Sequence, residues 1–119
     1  MPDSTNPHFS AFTSIIQKKL SFDGIIATTD TLAAGAYLAL REYGIKVPEQ
    51  VKLAGFDDCM IADICGTGIT SVKQDVANMA SIAVDMLLRQ INGEKISTTK
   101  RQLTLTLSRR SSTDSSPLS

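Results

Sequence analysis

Three short runs, each followed by polar side chains, limit what this chain can fold into. Residues 24–28 (Gly-Ile-Ile-Ala-Thr), 51–56 (Val-Lys-Leu-Ala-Gly-Phe) and 69–72 (Ile-Thr-Ser-Val) are too short for stable helices and read as buried strands. Helical stripes separate them. Phe9, Phe12, Ile16 and Leu20 recur at steps of three and four before the first run. Leu32, Ala33, Ala36, Tyr37 and Leu40 form a second stripe, and Val76, Met79, Ala80, Ala83, Met86, Leu87 and Ile91 a third. Thr29 and Asp30 suit the N-cap of the second helix and Asp75 that of the last, while Gly44 and Asn92-Gly93 suit their ends. Gly35 lies inside a helix, where it is costly unless a neighbour packs close to it. Residues 57–68 read as irregular, with a short helical turn through Met60, Ile61 and Ile64. Residues 101–109 alternate Leu103, Leu105 and Leu107 with Thr104, Thr106 and Ser108, the pattern of a half-buried strand. The Pro/Ser/Asn-rich start (1–7) and the Ser-rich last ten residues (110–119) are expected to be disordered. The rhythm predicts an α/β fold with a mostly parallel sheet flanked by helices.

Bulk properties narrow the function. The 119 residues carry 12 basic and 12 acidic side chains, a formal net charge of zero. The clusters Lys18-Lys19, Lys100-Arg101 and Arg109-Arg110 read as solvated ends of elements, so this segment is not expected to grip nucleic acid. No apolar run approaches the ~20 residues of a membrane span. The start lacks the basic and apolar regions of a secretory signal, and a cytoplasmic setting with no membrane contact is expected. Cys59 and Cys65 do not have Cys-x-x-Cys spacing, and His8 is far from both in sequence, so no metal site is expected.

In open α/β sheets ligands bind beyond the carboxyl ends of the strands. Those positions are Thr28, Thr29 and Asp30, then Asp57 and Asp58, then Lys73, Gln74 and Asp75. This rim offers donors and acceptors to a polar, polyhydroxylated or purine-like ligand. Asp30 and Asp75 also suit capping, Gln74 suits solvent, and Asp57 opens no clear helix. Asp57 and Asp58, as neighbours in extended chain, would point apart and not share one reacting atom. There is only one His, and no Gly-x-Gly-x-x-Gly or Walker loop is present. Binding without catalysis is the expectation. Residues 59–64 place large apolar side chains in a loop, where they either cover their own core or form a partner contact.

Phe22-Asp23-Gly24-Ile25-Ile26-Ala27-Thr28-Thr29-Asp30 followed by Leu32-Ala33-Ala34-Gly35-Ala36 resembles the "D-a-i-x-x-x-N-D-x-x-A-x-G" segment of LacI/GalR transcription regulators. Gly44-Ile45-Lys46-Val47-Pro48-Glu49-Gln50-Val51 is similar to their "G-x-x-V-P-x-D-v" turn, Gly55-Phe56-Asp57-Asp58 to "G-[FY]-D-[DN]", Ile69-Thr70-Ser71-Val72-Lys73-Gln74 to "L-T-T-[IV]-x-Q", and Leu107-Ser108-Arg109-Arg110-Ser111-Ser112 to the final "L-x-x-R-x-S". All five occur in family order between Phe22 and Ser112.

The resemblance implies part of a Rossmann-like lobe in a periplasmic-binding-protein-like type I fold. It implies an effector-sensing and dimerisation fragment of a regulator, a repressor, that needs no cofactor and is not an enzyme. The effector is a sugar, a sugar phosphate or a nucleobase. Family ligand contacts fall on Thr29, Asp57 and Gln74. The homodimer surface falls on Ala33, Ala34, Tyr37, Ile61, Ile64 and Cys65. Operator DNA is bound only through a helix-turn-helix head that this sequence does not contain. Residues 8–74 would be part of the C-terminal lobe, 75–100 a helix and crossover belonging to the other lobe, and 101–109 the closing strand. The stripe on 75–91 would then lack its cognate partner, and self-association of a shortened chain is expected. Thr29 replaces the family's usual Asn, and Thr67-Gly68 replaces a usual Pro-Pro.

Another class of reading is a phosphoacceptor receiver domain, which also places Asp, Thr and Lys at strand ends. There the acidic pair comes first, whereas Asp57-Asp58 follows Thr28. A small hydrolase would need a nucleophile–base pairing.

Overall fold

The computed structural model describes residues 7–97 and 100–114. The elements are α1 (Pro7–Gln17), β1 (Gly24–Ile26), α2 (Asp30–Glu42), β2 (Lys52–Phe56), α3 (Met60–Ile64), β3 (Thr70–Lys73), α4 (Val76–Ile91) and β4 (Thr106–Ser108). The strands form one sheet in the order β1-β2-β3-β4. β1 runs parallel to β2, with Ile25 opposite Leu53, and β2 parallel to β3, with Gly55 opposite Ser71. The α/β architecture with a mostly parallel sheet agrees with the sequence reading.

The chain divides into two compact units. The first comprises Met1–Lys73 with Leu107–Ser119, and the second Gln74–Thr106. In the first, α1 packs on α2. Gly35 permits this approach: a Cβ there would lie 2.7 Å from the His8 Cβ and 2.9 Å from its carbonyl carbon. That close neighbour is what the sequence required of a glycine inside a helix. The rings of Phe12 and Phe22 meet edge to face, with centroids 6.1 Å apart. The core gathers Ala33, Ala34 and Ala36 of α2 with Leu53, Ala62 and Ile69. Small side chains on α2 let the helix lie close to the sheet, at modest apolar area per residue.

In the second unit, Asp75 caps α4 by accepting the Asn78 N–H at 3.1 Å. Asn92 and Gly93 close it, Gly93 at φ +83°. No residue of α4 is buried.

Two expectations need correction. The alternating segment 101–109 forms a strand only at Thr106–Ser108, and Leu105 and Leu107 are exposed. Alternation gives a segment two faces, but strand geometry persists only where a neighbour supplies the ladder. The Ser-rich end is ordered further than its composition suggests. Ser112 is 3% exposed. Its backbone carbonyl accepts the Leu53 N–H at 3.0 Å, and its hydroxyl accepts the Thr70 N–H at 2.8 Å and donates to the Leu53 carbonyl. The rest of that tail, 115–119, lies outside the described residues, as do 1–6 of the start, and Pro7 already opens α1.

Candidate functional site

Because β1, β2 and β3 are parallel, their carboxyl ends fall on one edge of the sheet. The ladder continues past β1 through Ala27, whose N–H reaches the Ala54 carbonyl at 2.8 Å, and past β2 through Asp57, whose N–H reaches the Val72 carbonyl at 2.9 Å. Thr29 and Asp57 therefore follow adjacent strands at that edge. β3 ends at Lys73, and Gln74, the next residue in the chain, opens the second unit and is half-buried.

Thr29 is the N-cap of α2. Its hydroxyl accepts the Leu32 N–H at 3.2 Å. The capping role that suited either Thr29 or Asp30 thus belongs to Thr29. Asp30 lies one residue further in, 1% exposed. Its Oδ2 accepts the Cys59 N–H at 2.8 Å, and its Oδ1 accepts the Ser71 hydroxyl at 2.6 Å. The same Ser71 oxygen accepts the Asp58 N–H at 2.9 Å. Gly55 makes room for this arrangement, since a Cβ there would sit 2.2 Å from the Asp30 Oδ1.

Asp57 and Asp58 are not extended. Both have left-handed backbone, at φ +100° and +53°, a conformation non-glycine residues adopt at a cost. Their side chains have different surroundings. Asp57 is exposed. Asp58 is largely enclosed: its Oδ1 lies 2.7 Å from an Arg110 guanidinium nitrogen, and its Oδ2 accepts the Ser108 hydroxyl at 2.8 Å. Burial pushes the Asp58 carboxyl up. The close Arg110 guanidinium, the Ser108 hydrogen bond and the charge of Lys73 outweigh that and hold it below the ordinary carboxylate value. Arg110 also donates to the Ile69 carbonyl at 2.9 Å and lies 3.6 Å from Asp63. Gly68, at φ +107°, leaves space for the Arg110 stem, which a Cβ would meet at 2.9 Å. The final "L-x-x-R-x-S" resemblance was the one sequence signal pointing to Arg110 and Ser112. Nothing local marked Asp30 and Ser71 as partners of each other or of the Asp58 and Cys59 backbone.

The six residues expected at a dimer surface are not equivalent. Ala33 and Ala34 are 0% and 5% exposed in the chain's own core, so they are withdrawn as partner contacts. Tyr37, Ile61 and Cys65 are half-buried against that core. The Tyr37 ring lies over Gly66, and burial raises the Cys65 thiol pKa against the opposing charge of Arg41. Ile64 is 67% exposed beside the exposed Met60.

A family model described as a periplasmic binding protein-like domain matches residues 4–113. The chain belongs to this family. Among relatives of this periplasmic binding protein-like domain is the HTH-type transcriptional regulator GalS of Salmonella typhimurium, 34% identical over 84 residues, covering 71% of this chain and 25% of GalS. The structure of the CelR–cellobiose complex, a transcriptional regulator, superposes with a TM-score of 0.81 at 28% identity, covering 88% of this chain and 32% of that one. The lac repressor dimer bound to operator and the anti-inducer ONPF superposes with a TM-score of 0.83 at 24% identity, covering 89% and 32% of the two chains; this likeness concerns the fold. The chain thus spans a quarter to a third of the length of these proteins. These relatives are regulators rather than enzymes, and they give the receiver alternative no support. Among the described residues, no helix is long and apolar enough to cross a membrane.

Proposed function

We propose that this periplasmic binding protein-like chain senses a small polar effector for a transcriptional regulator, a repressor, and contributes to its dimerisation. The effector is a sugar, a sugar phosphate or a nucleobase, contacted by Thr29, Asp57 and Gln74. It is bound and not transformed. The observation that carries the reading is the placement of Thr29 and Asp57 after adjacent parallel strands at one sheet edge, with Asp57 exposed on a strained turn. Strained polar turns at strand ends are where open α/β sheets receive ligands. The homodimer contact is assigned to Tyr37, Ile61, Ile64 and Cys65, with Ile64 the most exposed of the four. Operator DNA is assigned to a helix-turn-helix segment rather than to this chain, in keeping with its zero formal net charge. The setting is the cytoplasm, where such a regulator meets DNA.

A thermal-shift screen of cellobiose, monosaccharides and purines on the full-length protein tests the effector. A ligand bound only by the folded state raises Tm by mass action. Asp57→Ala is expected to abolish the shift given by the positive compound. A full shift in that variant would remove Asp57 from the site.

A further inference from the structure

We propose that Asp30 is a positioning residue, whose buried carboxylate fixes the turn at Asp57–Cys59 and so sets where Asp57 stands at the end of β2. The inference rests on Asp57 being an effector contact.

Two successive left-handed residues, neither of them glycine, do not hold themselves in place. Something outside the turn must bind its backbone. Three consecutive N–H groups leave this turn, and each has an identified acceptor. Asp57 N–H bonds Val72 O on β3, Asp58 N–H bonds the Ser71 hydroxyl oxygen, and Cys59 N–H bonds Asp30 Oδ2. The last two trace to one side chain, because Ser71 donates its own hydroxyl hydrogen to Asp30 Oδ1 at 2.6 Å. That donation orients the Ser71 oxygen's lone pairs toward the Asp58 N–H. One carboxylate thus spans two oxygens across the turn, one acting directly and one through Ser71. Asp30 is well placed for this. It is the first residue of α2, directly after the Thr29 cap, and α2 is anchored in the core by Ala33, Ala34 and Ala36. The contact therefore ties the turn to a rigid element. It also joins Thr29 and Asp57, since the residue following one holds the residues following the other.

An asparagine could keep much of this. Its carbonyl oxygen can accept the Cys59 N–H while its NH₂ donates to Ser71. Alanine removes both bonds.

Amide hydrogen exchange of the whole chain, read by NMR, tests the proposal without a ligand. Asp30→Ala is expected to speed exchange at Asp58 and Cys59 by about tenfold or more relative to Leu53 in the core, and Asp30→Asn to restore most of the protection. Ser71→Ala is expected to release Asp58 while leaving Cys59 protected, which keeps the proposal testable if Asp30→Ala does not fold. Wild-type protection at Asp58 in Ser71→Ala, or at both amides in a folded Asp30→Ala, would overturn it. So would failure of Asp30→Asn to restore what a folded Asp30→Ala loses. These outcomes are separate from the effector reading, which fails if Asp57→Ala keeps its full thermal shift even where the exchange pattern follows Asp30.

Discussion

Arg110 places a guanidinium nitrogen 2.7 Å from the Asp58 carboxylate, joining the middle of the Asp57–Cys59 turn to a residue far along the chain. The Asp58 side chain is 10% exposed and that of Arg110 21%. Removing Arg110 leaves a shielded carboxylate with only the Ser108 hydroxyl and the charge of Lys73 to offset it. Arg110→Ala is therefore expected to cost about 2–4 kcal/mol in urea unfolding. The loss includes the Arg110 stem over Gly68 and the bond to the Ile69 carbonyl. A loss under about 0.5 kcal/mol, the range of surface substitutions, would show the pair to be solvated.

Asp58 also gives stability a pH dependence of known sign. Its folded-state pKa lies below its unfolded one, because Arg110 and Ser108 favour the charged form more than burial disfavours it. The contribution is fully present above the unfolded value and is lost as pH falls through the folded value. Wild type minus Asp58→Asn, measured by urea unfolding from pH 7 downward, should be flat near neutrality and shrink below about pH 4. A difference that grows on acidification would contradict the assignment.

Gly55→Ala tests the close packing around Asp30. The added Cβ would meet Asp30 Oδ1 at 2.2 Å and the Ala33 Cβ at 3.3 Å. Overpacking of this kind costs about 1–3 kcal/mol. The expected loss of Tm should be accompanied by faster amide exchange at Cys59, whose partner is displaced.

Thr29→Ala removes the α2 cap and should cost about 1 kcal/mol. Thr29→Asn, which carries an equally good capping oxygen, should remain close to wild type in stability. Any change in effector response in that variant would then report on ligand contact and not on the helix.

Much of the frame was legible from the residues. Short strand-like runs and helices of three-four spacing announce themselves locally, and the parallel arrangement follows from their alternation. Strand ends then locate the polar rim that includes Thr29 and Asp57, and the family resemblance singles these two out from its other positions. Contacts between distant positions did not announce themselves. Asp30 read as a cap because a carboxylate at a helix start has that signature, and only tertiary structure brings Ser71 and Cys59 to it. Ala33 and Ala34 read as surface residues by resemblance, yet their small size is what seats α2 against the sheet. Ser111 and Ser112 read as part of a solvated tail because serine composition does not say whether a hydroxyl finds a partner. Here Ser112 bonds both β2 and β3.

Residue 112 has a further consequence, concerning time. A ribosome makes the chain from its amino end and so delivers the segment carrying Ser108, Arg110 and Ser112 after every strand it joins. Until that segment emerges, the Leu53 backbone, the Thr70 N–H and the Asp58 carboxylate wait without the partners they have in the finished protein. A nascent chain stalled short of residue 108 lacks the hydroxyl that ties β2 to β3 and the guanidinium beside Asp58.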